Sequence, residues 1–471
     1  MLGDIIYTGL LVLMIFYFSI NTVYLIILIL SIVEIQRSRK YRFTFDIDQA
    51  FRFRLLPPVS IILPAYNEGK TIVESVRSIL FVRYPEYELL VVNDGSKDDT
   101  LQTLIKAFNL IKTDYVFKRS IITEKVRGIY VSKDFKNIVV IDKENGGKAD
   151  ALNAGINVSR YPYFCAIDAD TILGEDALAK LILPFINDPE RTTAVGGIVK
   201  PANGAVIQMG RLLEERLTRN LFVILQGVEY ARAFFLGRLG LASINSLLIV
   251  SGAFGLFKKN DVLKVEGYKR KSMGEDMMLV VKLHKLKRQE RKRYRIAFVT
   301  DTVCWTEIPS TIKVLARQRV RWQMGLMESV FENSDMILNP KYGIIGLFSM
   351  PFYILTDIVP PFFELIGYSL LAIGIGTGVL SIGTLIRFFF ITWVYSLIHT
   401  IYALIMEKYG VGKKMPLHHF IIRLLVSLIE NLFYRQINIW CKLKGFFRFF
   451  TAKREWGAME RKGFAQEKKV S

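Results

Sequence analysis

Only three cysteines, Cys165, Cys304 and Cys441, occur in the 471 residues. They are far apart, odd in number and not in ligand spacing, which excludes a disulfide framework and a zinc site. Internal repeats and low-complexity linkers are absent too, so a repeat array is excluded. Acidic residues are in short supply: 43 stand against 63 basic ones, a formal net charge of +20. Such an excess suits nucleic acid, an anionic membrane surface or phosphorylated substrates. The basic residues gather at Arg37, Arg39, Lys40 and Arg42, across 282–295, and through 442–469. Two of these clusters flank apolar segments, which favours a lipid bilayer and argues against nucleic acid as a partner. Charge is missing altogether from Ile5 to Val33, and a helix of that length, at about 1.5 Å per residue, more than crosses a bilayer core. The run is too long for a cleaved signal peptide and has no basic stretch before it. The basic residues after it put its C-terminal end, and the segment that follows, in the cytoplasm.

What is present begins with the apolar run Tyr163-Phe164-Cys165-Ala166-Ile167, which ends in Asp168-Ala169-Asp170. Alternation along a strand puts positions i and i+2 on one side, so the two carboxylates can face one ligand. Such a pair suits a hard divalent cation shared with phosphate oxygens. Three more buried strands are expected at 59–64, 87–92 and 137–141, with helices over 71–81, from Asp98, and after Gly146-Gly147-Lys148. Strands alternating with helices predict an α/β fold with a mainly parallel sheet. In such sheets the ligand sits beyond the carboxyl ends of the strands. Each strand carries its polar cluster there: Tyr66 and Glu68, Asp94, Lys148, and Asp168 with Asp170. That coincidence predicts a nucleotide site on one sheet edge.

Residues 239–257 carry no charge but contain Ser243, Asn245, Ser246, Ser251 and several glycines. We read 247–257 as buried sheet and turn rather than a membrane span, with a helix before it over 210–235. A helix from Glu275 to Lys287, a strand near Ala297 and a helix over 311–331 follow. On the last, Gln318, Arg321 and Trp322 stand at i, i+3 and i+4, one helical face, which also suits an amphipathic interfacial helix. Two spans are expected at 359–380 and 384–406. Segments 342–356 and 417–440 read as interfacial or re-entrant, the first being short and the second holding Arg423, Glu430 and Arg435. The expected organisation is an N-terminal transmembrane helix at 1–36, a cytosolic domain at 37–335 with its interfacial helix, a membrane region at 336–450 and a basic cytosolic tail at 451–471. This describes a multi-pass protein of the plasma (inner) membrane with its catalytic domain in the cytoplasm.

Assembled, these residues resemble the membrane-bound family 2 glycosyltransferases, the group of the cellulose, chitin, hyaluronan and poly-N-acetylglucosamine synthases. The matching pieces are Pro64-Ala65-Tyr66-Asn67-Glu68, Asn93-Asp94-Gly95-Ser96, Gly147-Lys148-Ala149, Asp168-Ala169-Asp170, Gly274-Glu275-Asp276 and Gln318-Arg319-Val320-Arg321-Trp322. They appear in the family's order. The resemblance implies a GT-A-type domain, a UDP-sugar donor and an inverting single displacement onto a polysaccharide or oligosaccharide acceptor, with accessory secretion proteins among the partners of such systems. It further implies that Ala65, Tyr66 and Glu68 hold the nucleoside, Asp94 the base, and Lys148 and Arg321 the diphosphate. Asp168 would position the UDP moiety and Asp170 would bind Mg2+ or Mn2+. Asp276 would be the general base, with Glu275, Gln318 and Trp322 toward the acceptor. The Gly-Glu-Asp motif departs from the threonine-first form of cellulose synthases, and Trp456-Gly457-Ala458-Met459 is not the hyaluronan-synthase pattern. UDP-N-acetylglucosamine, then UDP-glucose, lead as donors. Single-sugar transfer to a lipid or lipid phosphate is the alternative within enzymes. A nucleotide-sugar-binding membrane protein without catalysis is the alternative outside them.

Overall fold

A computed structural model of the chain describes residues 1–44, 56–208, 211–409 and 415–451. The tail expected at 451–471 lies outside them beyond Thr451. The described residues form two compact units, one within Met1–Ser38, Arg219–Leu247 and Pro309–Ala452, the other within Arg39–Thr218 and Leu248–Ile308. The boundary expected at 335 therefore falls inside the first unit.

Among the described residues, the second unit holds twelve strands: β1 (Val59–Ala65), β2 (Tyr87–Asp94), β3 (Leu110–Thr113), β4 (Val126–Ser132), β5 (Ile138–Lys143), β6 (Tyr163–Ile167), β7 (Thr171–Leu173), β8 (Thr192–Pro201), β9 (Val206–Gln208), β10 (Arg211–Glu214), β11 (Phe254–Lys258) and β12 (Arg295–Thr306). Ten form one sheet, in the order β3-β4-β5-β2-β1-β6-β11-β8-β12-β7. Its centre, β5-β2-β1-β6, is parallel throughout. These are the four strands read from the sequence, and their near-continuous burial is what a sheet covered on both faces demands. Antiparallel pairs flank this centre, at β3-β4 and β4-β5 on one side and β6-β11, β11-β8 and β12-β7 on the other.

Register decides where the site falls. Ala65 pairs with Asn93, and Asp94 with Lys143, so the motif loops after β1, β2 and β5 leave the sheet side by side. Between the last two, Gly95 (φ 67°) lies so near that an added Cβ would stand 2.6 Å from the Asn145 nitrogen. β11 runs against β6, pairing Phe254 with Ile167, which brings the loop before β11 to the end of β6. The helix Lys148–Val158 packs on β1, where Gly155 leaves no room for a side chain beside Ile62.

The helix expected over 210–235 forms only in its second half, from Leu221 onward. Arg211–Glu214 pairs with β9, and the helix starts at Leu221, where the Asn220 side chain accepts from the Phe222 and Val223 amides. Cross-strand pairing overrides the helical propensity of the Leu and Glu residues there. The helix runs on to Ser243 through a π-helical stretch, Arg232–Arg238. Within 239–257, Leu239–Ser243 ends that helix and Phe254–Lys258 forms strand β11.

In the first unit, Leu2–Ser38 is the helix among the described residues long and apolar enough to cross a membrane on its own. Ile345–Ile358 with Pro360–Gly376, bent by 41°, and Leu417–Leu428 with Glu430–Thr451, bent by 69°, reach that length only if each pair is one span. Ile382–Tyr409 adds a helix of 28 residues. Charged side chains inside this unit are paired: Arg232 with Glu430, Arg435 with Glu364 at 2.7 Å, and Arg423 with Glu407 at 2.8 Å. All three cysteines are buried and unpaired.

Gly155→Val tests the contact between helix and sheet. The added Cβ would lie 2.3 Å from Ile62 Cγ2, and overpacking at such a site costs about 1–3 kcal/mol. We expect a lower thermal unfolding midpoint in detergent.

Candidate active site

The site is assembled from loops at the carboxyl ends of the parallel strands. After β1, Asn67 (φ 56°) turns the chain, and its amide donates to Ser96 Oγ while its side chain accepts from the Lys97 amide at 2.8 Å. The Glu68 amide donates to Thr100 Oγ1 at 2.9 Å. The loops after β1 and β2 are thus knitted together. Tyr66 is exposed on the first of them, and Glu68 accepts from Thr71 Oγ1 at 2.7 Å. Ala65 is buried at the end of β1.

Asp94 closes β2 and is buried. Its carboxylate accepts from the amides of Gly146 (3.0 Å) and Gly147 (2.7 Å), from Asn145 Nδ2 and from Lys143 Nζ. Burial raises its pKa, against the opposing pull of the Lys143 ammonium and the two amides. Lys143 is fully buried and also pairs with Asp150 at 2.6 Å. Gly147, at φ 87°, then starts the helix whose first residue is Lys148.

Lys148 is the hub. Its ammonium lies 2.6 Å from Asp168 Oδ1 and 3.2 Å from Glu275 Oε1, and donates to the Gly252 carbonyl at 3.2 Å. Burial opposes its charge, yet Asp168, Glu275 and Asp276 together hold its pKa above the usual lysine value. Gly252 comes from the loop that antiparallel β11 delivers, and the Asp168 amide donates to the Ala253 carbonyl beside it. A Cβ on Gly252 would stand 2.9 Å from Asp276 Oδ2. Asp276 sits in the first turn of the helix Glu275–Gln289, with Oδ1 accepting from the Met277 amide.

Asp168 and Asp170 do not lie on a strand. β6 ends at Ile167, and the two belong to the turn into β7, closed by Thr171 N–H donating to the Asp168 carbonyl and braced by Ser75 Oγ on the Ala169 carbonyl. Strand alternation is therefore not what relates them. Both carboxylates nevertheless act on the buried Cys304 thiol, which burial first, and then Asp168 and Asp170, push well above its usual pKa.

The structure thus gathers Lys148, Asp168, Glu275 and Asp276, and sets Asp94 beneath the turn that carries Lys148. Gln318, Arg321 and Trp322 lie on the helix Ile312–Phe331 of the other unit. There the Arg319 guanidinium covers one face of Trp322 at 4.4 Å and is held by Glu229 at 2.8 Å. Sequence reasoning missed Lys143, Asp150, Gly252 and Arg319. For Lys143 there was one signal, a lysine two residues before Asn145-Gly146-Gly147 in an apolar strand.

A mixed sheet with a parallel centre and acidic loops at its carboxyl edge defines a GT-A-like nucleotide-sugar-binding fold. The chain belongs to the family 2 glycosyltransferases: the model for "Glycosyl transferase family group 2" matches residues 163–407, and that for "Glycosyl transferase family 2" matches 60–236. A poly-beta-1,6-N-acetyl-D-glucosamine synthase of Staphylococcus aureus is 28% identical over 319 residues, 68% of this chain and 65% of the relative. One from Staphylococcus epidermidis is 30% identical over 298 residues, 63% of this chain and 60% of the relative. The match thus spans just under two thirds of these relatives' length. A mannosyltransferase structure from Pyrobaculum calidifontis, in complex with GDP-Man and Mn2+, aligns with a TM-score of 0.56 at 16% identity over 92% of this chain and 100% of its own, a likeness of fold.

Lys148→Met removes the ammonium that pairs with Asp168 and with the buried Glu275, at a cost of about 1–3 kcal/mol. Because folding raises the Lys148 pKa above 10.5, its contribution is fully present below that value and is lost as pH rises through the folded value. Thermal unfolding of wild type and variant should differ by a constant amount between about pH 7 and 9 and converge only in strongly alkaline buffer.

Proposed function

We propose that this chain is an integral-membrane, inverting glycosyltransferase that moves N-acetylglucosamine from UDP-N-acetylglucosamine to the hydroxyl of a growing β-linked polysaccharide. The observation that carries the reading is the Lys148 ammonium held among Asp168, Glu275 and Asp276 at the carboxyl edge of the parallel strands. Similarity to the poly-beta-1,6-N-acetyl-D-glucosamine synthases supports the choice of donor and polymer.

In this mechanism Lys148 turns from its carboxylates to the donor's diphosphate, where negative charge builds as the sugar leaves. The amide-rich start of the helix Lys148–Val158 adds favourable partial charge. Asp276, half-buried beside Gly252, takes the proton of the acceptor hydroxyl as it attacks the anomeric carbon, a carboxylate being the group in reach for general-base work. A single displacement inverts the centre, giving a β-linkage from an α-linked donor.

Asp168 and Asp170 offer two hard carboxylates at one turn, a donor set that fits Mg2+ or Mn2+. Among the described residues no group of three His, Cys, Asp or Glu is placed to hold an ion, so the remaining ligands would come from phosphate oxygens and water. When bound, the cation supplies charge neutralisation on the diphosphate. Tyr66 and Glu68 keep the nucleoside-binding roles that the resemblance implies, and Gln318, Arg321 and Trp322 keep theirs. The helix Leu2–Ser38, together with the two bent pairs if each is one span, supports a multi-pass protein, and polymer translocation coupled to synthesis belongs to the same proposal.

Detergent-purified protein incubated with radiolabelled UDP-N-acetylglucosamine or UDP-glucose, followed by product sizing, tests the reading. We expect polymer from the first donor, abolished by excess EDTA. A single-sugar lipid product, or no turnover, would overturn it. Asp276→Asn should lower turnover by on the order of a hundred- to ten-thousandfold while UDP binding, measured by calorimetry, holds. Trp322→Ala should shorten the product per active enzyme with little change in UDP affinity, whereas a tryptophan that only anchors its helix would instead lower thermal stability.

A further inference from the structure

Trp322 is 40% exposed, yet one face of its indole is closed. Arg319, three residues earlier on the helix Ile312–Phe331, sets its guanidinium carbon over that face, 4.4 Å from the ring centre. Residues three apart on a helix are neighbours, so the contact needs nothing beyond this helix to form. A guanidinium at that distance fills the layer that a stacked ring would occupy. A sugar can then meet the indole only on the opposite face.

Arg319 is itself held from two other helices of the same unit. Its Nη2 lies 2.8 Å from Glu229 Oε2 on the helix Leu221–Ala231, and 3.4 Å from the Tyr434 hydroxyl on the helix Glu430–Thr451. Tyr434 donates to the same Glu229 oxygen at 2.7 Å. Beside this polar triangle Leu225, Leu315 and Tyr434, all fully buried, form an apolar cluster. Leu225 and Leu315 stand four residues before Glu229 and Arg319, on the same helical faces. The Arg319 side chain is 8% exposed, and a charge so far from water persists only when paired. Its residue type matters as well, because a planar guanidinium can lie on an aromatic face where a lysine would present a point charge.

Resting on the acceptor role proposed for Trp322, we infer that Arg319 is a positioning residue for acceptor binding: it backs the indole, leaves one face for the sugar, and takes its own orientation from Glu229 and Tyr434. It acts through Trp322 and touches neither donor nor acceptor. Its effect falls on how long the growing chain is held, and the hold on the nucleotide is independent of it.

Product length from UDP-N-acetylglucosamine and UDP affinity by calorimetry, measured on the full-length protein in detergent, test this in wild type, Arg319→Met, Trp322→Ala and the double variant. Polymer length follows the ratio of extension to release, so Arg319→Met should shorten the product by about two- to thirtyfold, the range that one cation–π contact spans, with UDP affinity unchanged. In the Trp322→Ala background Arg319→Met should add no further shortening, because the ring it backs is gone. Further shortening there would overturn the inference, as would weaker UDP binding by Arg319→Met. A lower yield of active enzyme with wild-type length per active enzyme would overturn it too, by showing a purely structural role. Wild-type length from Arg319→Met beside short product from Trp322→Ala removes the inference and leaves the acceptor reading standing. Wild-type length from Trp322→Ala removes that reading and the inference with it, and a wild type that makes no polymer overturns the proposed function and both of these. Should Arg319→Met fail to fold, Arg319→Met with Glu229→Gln removes both charges together and is read in the same way.

Discussion

A lysine buried to zero exposure must have anionic partners, because an unpaired charge in the interior costs several kcal/mol. Lys143 has two, Asp94 and Asp150, which come from β2 and from the first turn of the helix that begins with Lys148. The pairing locks the end of β2, the end of β5 and the start of that helix into one body. Parallel register fixes where those ends lie along the sheet, and the ion pairs fix how the loops leave it. The partly exposed cluster around Lys148 stands on this arrangement, so the groups proposed for chemistry are held from below by buried ion pairs.

The other unit shows the same logic in its apolar interior. Helices carrying long apolar faces also carry Arg232, Arg423 and Arg435, each matched to a glutamate on another helix of that unit. Where water is scarce, such charges persist only when paired or functional. Glu229 does double service there, holding Arg319 and accepting from the Tyr434 hydroxyl at 2.7 Å.

The parallel centre of the sheet was legible in the sequence because each of its strands is an apolar run stopped by proline or by a polar cluster. The motif residues were legible because they sit where those runs stop. The antiparallel flanks were not, since the direction of β11 is set by its partners β6 and β8 rather than by its own residues. Arg211–Glu214 was misread for a similar reason: its composition favours a helix, and its pairing with Val206–Gln208 wins. For Asp168 and Asp170 the expected nearness to one ligand rested on strand alternation, while the structure has them in a turn. Lys143 and Gly252 escaped notice because their meaning lies in partners many residues away.

The buried cysteines carry a practical consequence. Burial pushes the Cys165 and Cys304 thiols well above their usual pKa, and it is the thiolate that reacts with alkylating reagents. Cys441 is buried as well. The native chain is thus close to a silent background for thiol chemistry. Single cysteines introduced at exposed positions, one on each loop between the apolar helices, would report their side of the membrane by labelling without first stripping the protein of its own.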